Sequence, residues 1–380
     1  MVPVTASPGV GPLGRGERAA APDLARALLL ALIAVANVHL FLVGPGRVGG
    51  VRGYPPATGM SGADRAVTFV QALLVDGRAY PLFAALVGYG LVRLGDRVPP
   101  TTIRRRGIVL VAVGALHGVV LFSGDIIGAY GLLVLLLAGV AARWTGPALL
   151  VLAGPLALVA ALLGATQGLG AAEPSLPSIA VSSPVAALAD RAGEWPSVTL
   201  FSAIVSAAPM LVGMWAARRG VLDDPAAHRV LLRRWAVLGL AGAAVLGLPV
   251  ALTAAGWWEP PYPVALVGGV VDTLGGYAGA LGFLGLVGLV SPRWRPGLLV
   301  SAGTWSMTLY LTQSVVFDAV LAGWAGGLGA TSGVAAASGF ALGVWLVTAL
   351  VAGLPARWGH RGPPELAVRR LTYGRPPARR

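Results

Sequence analysis

Ten apolar stretches follow one another along the chain, most of them long enough to cross a hydrocarbon core of ~30 Å, with polar breaks between them. A spanning segment has no water to satisfy its backbone, so each stretch must close its hydrogen bonds internally, as a helix does. The expected fold is therefore all-α, a polytopic integral membrane helix bundle. With 56% hydrophobic and 11% charged residues and a mean hydropathy of +0.77, a soluble globular fold is excluded. The stretches run over 24–43, 68–92, 107–122, 126–142, 147–165, 198–217, 235–253, 264–290, 298–322 and 334–354. The first is too long for a signal peptide's apolar region, and no A-x-A-like site follows it. Residues 1–22, rich in Pro, Gly and Ala, read as a disordered cytoplasmic tail, 23–355 as the membrane domain, and 356–380 as a basic cytoplasmic C-terminal tail.

The net charge of +13 invites a nucleic-acid reading, which its distribution rejects: no basic segment is interleaved with aromatics for base stacking. All 28 basic residues are Arg. With ten spans, the two tails and the even-numbered loops hold 23 of them and the other loops hold Arg47, Arg52, Arg65, Arg78 and Arg191. By the positive-inside rule both termini are cytoplasmic. There is no Cys, which excludes disulfides and thiolate chemistry. No Walker A, G-x-S-x-G or HExxH motif occurs, and four His without Cys give no metal-ligand cluster at usable spacing.

Ionisable groups at membrane depth are costly and mark functional sites by default. The segment HGVVLFSGDIIGAYG, residues 117–131, is the sharpest case: a three-residue polar break carrying Asp125 separates two apolar runs, with His117 before it and Tyr130 after it. At ~1.5 Å per residue, His117 is expected about 12 Å below Asp125 at the lip. It reads as a satisfied bundle residue or as a general base held by that carboxylate. Asp125 reads equally as an acidic cap on the next helix.

Other polar side chains form a second tier. Asn37 and His39 lie two residues apart on the first span, about 200° around a helix, and are not expected to share one pocket face. Asn37 suits a helix-to-helix hydrogen bond and His39 an interfacial role, with a place in a site open to both. Asp76 and Arg78 flank a Gly just before Tyr80-Pro81, so a surface helix over 64–75 is expected to lead into a span starting near Ala79. That pair reads as a solvated interfacial pair or as an anion-binding Arg facing a cavity. The ninth span places Ser306, Tyr310, Gln313 and Ser314 on one i, i+4, i+7, i+8 stripe, which faces protein or water as hydrogen-bonding glue or a substrate path. Asp272 and Asp318 stand as lone acids on spans eight and nine. A short interfacial helix is expected over 184–194, and Gly275/Gly279 and Gly339/Gly343 have the spacing of close helix contacts.

Four segments, DGRAYPLFAALVGYG, RRRGIVLVAVGALHGVVLFSGDIIGAYGLL, GTWSMTLYLTQSVVF and RGPPELAVRRLTYGR, resemble the YeiB-like family of bacterial membrane proteins, a domain family of unknown function numbered 418. They fall in order, and the likeness spreads from residue 24 to 375. In the first span Asp23, Arg26 and Asn37 fit the family pattern, while Ala27 stands where the family has Gly. The family is similar in layout to transmembrane acyltransferases. The resemblance implies a multi-pass protein of the bacterial cytoplasmic membrane that moves an acyl group from a cytoplasmic donor to an extracytoplasmic acceptor. It implies His117 as the base, Asp125 as its orienting partner, and Arg78 paired with a donor phosphate or acceptor anion. Asn37, His39, Asp76, Tyr130, Tyr310, Gln313 and Ser314 are the expected substrate contacts. The expected partners are the lipid bilayer, an acyl donor such as acyl-CoA and a sugar or lipid acceptor, with no bound cofactor. The alternative is a transporter or permease for a small or lipid-like solute.

Overall fold

The computed structural model describes residues 20–374 apart from 45, 49, 145, 172 and 295, so residues 1–19 of the expected 1–22 tail and the last six residues lie outside the described part, while its residues 20–22 are helical. Fourteen α-helices follow in order among the described residues: α1 (Ala20–Val38), α2 (Gly62–Leu74), α3 (Ala79–Gly95), α4 (Pro100–Val120), α5 (Ile127–Leu137), α6 (Val140–Arg143), α7 (Gly146–Leu163), α8 (Pro184–Arg218), α9 (Arg229–Ala254), α10 (Tyr262–Val290), α11 (Gly297–Gly303), α12 (Ser306–Leu321), α13 (Val334–Arg357) and α14 (Pro363–Tyr373). No strand occurs among them beyond one isolated bridge, Val51 to Gly170. The chain is a multi-pass membrane helix bundle.

Among the described residues seven helical stretches are long and apolar enough to cross a membrane, with Gly62–Gly95 counted as one. The expected spans over 107–122, 126–142 and 298–322 fall on α4, α5 with α6, and α11 with α12, which do not reach that measure. Arg104, Arg105 and Arg106 sit in the first turns of α4, while α5 and α12 have only 11 and 16 residues.

The surface helix ahead of Tyr80-Pro81 is α2, running close to the expected 64–75. Its start is fixed by a capping box in which the Asp64 amide donates to Ser61 Oγ at 3.1 Å and the Ser61 amide donates back to the Asp64 carboxylate at 3.2 Å. The expected short helix over 184–194 is a correction. It runs without a break into the following span, making α8 a single helix of 35 residues. Pro196 removes one backbone donor but leaves the rest of the ladder, and Ser183 caps the N-terminus from its side chain.

The ninth span differs in the opposite sense. It breaks at Thr304-Trp305 into α11 and α12. The exposed amides at the start of α12 are taken by a carboxylate from far along the chain. Met307 and Thr308 donate their N–H groups to Glu365 Oε1 at 2.8 and 3.0 Å, and the Thr308 hydroxyl donates to Oε2 at 2.6 Å. Trp305 Nε1 donates to the His360 carbonyl at 2.9 Å. Residues 363–373 of the expected tail are thus a docked helix that holds α12 by its end. Glu365→Ala is expected to cost about 1–2 kcal/mol and to speed amide exchange over 306–310, measured by melting and hydrogen exchange in lipid.

Helices approach closely where glycine faces backbone. A Cβ on Gly213 of α8 would stand 1.9 Å from the Ala85 carbonyl oxygen of α3, and one on Gly88 of α3 2.1 Å from the Met210 carbonyl oxygen of α8. Gly213→Ala is therefore expected to cost about 1–3 kcal/mol by forcing these helices apart, visible as a lower melting temperature. Gly275 and Gly279 likewise pack against Leu246, Ala243 and the Arg78 stem, whereas nothing lies within 4 Å of the positions a Cβ would take on Gly339 or Gly343.

Candidate functional site

At the end of α4 the Leu121 amide closes on the His117 carbonyl at 2.8 Å, and the chain reverses over residues 121–126. Asp125 does not stay at the lip 12 Å from His117. Its carboxylate turns back under the start of α5, where Oδ1 accepts from the Ile127 amide at 3.1 Å and Oδ2 from the Gly128 amide at 2.6 Å. Capping and orienting are one arrangement, since the same Oδ1 lies 2.8 Å from His117 Nδ1. A carboxylate accepting two backbone N–H groups makes Nδ1 the donor, and the lone pair of the neutral ring is then on Nε2. Nε2 is buried and has no hydrogen-bond partner.

Small residues make this possible. A Cβ on Gly114 would lie 2.5 Å from Asp125 Oδ2, and ones on Gly118 and Gly128 would run into the Trp195 ring of α8. The imidazole thus sits in a closed niche between α4, α5 and α8.

Its remaining face meets α12, where the Tyr310 ring lies 5.1 Å from the His117 ring, centroid to centroid. Tyr310, Gln313 and Ser314 of the expected stripe are all buried. Together with Asn37 they line a void of about 10 Å³ closed by Phe41, Phe122 and Phe317. Both polar atoms of the Gln313 amide are unpartnered there.

On another side Tyr310 also lines a larger cavity of about 220 Å³, with Asn37, His39, Arg52, Asp76, Tyr80 and Gln167. The expectation that Asn37 and His39 face apart is corrected. The α-helix ends at Val38, and a tighter 3₁₀ turn over His39–Phe41 brings His39 round to the same cavity. His39 Nε2 lies 3.1 Å from the Arg52 carbonyl oxygen, and its ring stacks on Tyr54 at 4.1 Å. The Tyr54 hydroxyl donates to Asp76 Oδ2 at 2.6 Å. Burial, with Asp76 beside it, pushes that phenol well above its ordinary range, so it remains a donor.

Asp76 and Arg78 are not a solvated surface pair; both are buried. Arg78, expected to bind an anion, does not line either cavity. Its guanidinium is fully enclosed and donates to Asp272 at 2.9 Å, to the Asp76 carbonyl and to the Ala243 carbonyl at 3.2 Å. Arg52 is the cation at the cavity, and it also pairs with Asp272. Neither expected lone acid is lone: Asp272 joins two arginines, and Asp318 pairs with Arg191 at 2.6 Å. Tyr130 donates to the Tyr80 carbonyl at 2.8 Å and stacks on Phe83, bracing the cavity wall from behind.

Arg52, Tyr80, Gln167 and Asp272 are the groups that sequence reasoning left out of the site. Arg52 carried one legible signal, being one of the five arginines that the expected ten-span topology puts in the arginine-poor loops. It is also the one described non-glycine residue with a positive φ, 58°, a strained conformation that accompanies functional sites. Among the described residues no group of three or more His, Asp or Glu is placed to hold a metal ion.

The family model described as "Protein of unknown function (DUF418)" matches residues 216–375. The match covers less than half of the chain, and over it the chain is similar to that family. No curated protein and no solved structure shows significant similarity to the chain. The DUF418 segment runs from the end of α8 through α14 and carries Asp272, Tyr310, Gln313, Ser314 and Glu365. His117, Asp125, Arg52 and Asp76 lie outside the matched residues, so the cavity is lined mostly by residues ahead of the matched segment, which contributes Tyr310 of α12.

Proposed function

We propose that this membrane protein is a transferase that moves an acyl group from a thioester donor such as acyl-CoA to a hydroxyl acceptor, with His117 as general base. The observation that carries the reading is the free, buried Nε2 of a histidine whose Nδ1 is held by a carboxylate. A base of this kind needs a fixed tautomer and an unoccupied lone pair. In the step, the acceptor O–H gives its proton to Nε2 as the oxygen bonds to the thioester carbonyl carbon. The C–S bond then breaks, and the leaving sulfur takes the proton back from Nε2. An ester and a free thiol result, with no change in oxidation state.

Asp125 holds the tautomer and faces the imidazolium formed in that step. Tyr310 moves aside, or passes its position to the acceptor hydroxyl, because its ring stands between His117 and the cavity. The test is thiol release by the purified protein in lipid, given acyl-CoA and hydroxyl acceptors. Release that requires an acceptor and is lost in His117→Gln supports the reading, whereas release indifferent to that change removes it.

A transporter is the second reading, favoured by the break between α11 and α12, since discontinuous helices line many transport sites. Solute flux into proteoliposomes without covalent change would select it.

A further inference from the structure

We propose that the 220 Å³ cavity is a binding site for a net-neutral, polyhydroxylated single ring, with Asp76 as the anchor that sets its charge preference. The inference deepens the acceptor half of the proposed transfer and rests on that reading only for the fate of the bound molecule. Drug-sized sites run ~300–1,000 Å³, so the occupant here is smaller, of the order of one ring.

The lining decides its chemistry. Asp76 is 4% exposed and its Oδ2 is taken by Tyr54, but Oδ1 has no partner. A buried carboxylate oxygen left unpaired is costly, so the occupant supplies a donor there. On the same cavity Arg52 engages Asp272 through Nη1, and the rest of its fork offers donors to an acceptor. Asn37 and Gln167 add amides that both donate and accept. A hydroxyl both donates and accepts, and a ring of them meets all of these groups at once.

The formal charges decide between neutral and charged rings. Two guanidinium groups, Arg52 and Arg78, stand against two carboxylates, Asp272 and Asp76, and they cancel. An ammonium or carboxylate on the occupant would therefore be a buried charge without a counter-charge. Asp125 does not line this cavity, and its carboxylate is engaged by His117 and the start of α5.

The experiment is calorimetric titration of the protein in lipid nanodiscs with D-glucose, D-galactose and myo-inositol as neutral rings, D-glucosamine as the cationic ring and D-glucuronate as the anionic one. The wild-type chain is expected to bind at least one neutral ring more tightly than both charged ones. Asp76→Asn keeps an acceptor for Tyr54 and removes one negative charge. It is expected to weaken the neutral ring by roughly 10- to 100-fold and to improve glucuronate relative to it. Arg52→Gln shifts the balance the other way and is expected to favour glucosamine.

No binding of any neutral ring by the wild-type chain overturns the proposal. So does an unchanged charge ranking in a folded Asp76→Asn protein, with Arg52→Gln as the independent check. Charge-selective binding without acyl transfer leaves this inference standing and removes the transfer. Transfer that needs His117 but ignores Asp76 does the reverse.

Discussion

His117→Gln is expected to lower kcat for acyl transfer by roughly 10²- to 10⁴-fold, the usual contribution of a positioned general base, with KM for the acceptor nearly unchanged. On the proposed reading the acceptor would contact Asn37, Asp76 and Arg52, which line the larger cavity, whereas His117 lines neither cavity. Asp125→Asn is expected to lower kcat as well, by a different route. Its amide can donate to Nδ1, which moves the ring proton to Nε2 and removes the base. The amide has one acceptor oxygen where the carboxylate has two, so the cap on α5 also weakens and the protein melts lower. Steady-state rates together with melting curves separate the two effects. If Asp125→Asn lowers the melting temperature and leaves kcat alone, the carboxylate is a cap and nothing more.

Asp272→Ala is expected to cost about 3–5 kcal/mol, enough to unfold a marginally stable bundle or to prevent its accumulation in the membrane. Asp272 is the shared counter-charge of Arg52 and Arg78, and the Arg78 side chain is fully buried. Without the carboxylate Arg78 keeps only carbonyl partners. The Arg78→Met, Asp272→Leu pair is expected to recover part of the loss, because it removes both charges instead of stranding one. Arg52 tolerates this better, since it borders the cavity. Membrane yield and thermal unfolding in detergent measure both variants; equal melting of wild type and Asp272→Ala would contradict the ion-pair account.

The fold class was legible because the bilayer imposes one backbone solution on long apolar stretches. The ends of those stretches were less so. Hydropathy does not see Pro196 accommodated inside a 35-residue helix, nor a helix broken at Thr304-Trp305 inside an otherwise apolar stretch. The His117–Asp125 pair was readable because its partners are eight residues apart and the reversal between them is short. The Arg52–Asp272 contact joins residues 220 positions apart and leaves no local pattern. The arginine bias nonetheless held a clue to it. Arg47, Arg52, Arg65, Arg78 and Arg191 go against the bias, and each is tied to a carbonyl or carboxylate in the fold.

The Glu365 contact has a consequence for how the protein is made. All the long membrane helices precede α14 in the chain, so they are synthesised while the start of α12 still has bare amides. Tyr310, which screens His117, stands one turn along that same helix. A nascent or truncated chain ending before residue 363 therefore inserts into the bilayer with the start of α12 still uncapped. On the proposed reading, the later docking of α14 is what sets Tyr310 in front of the base.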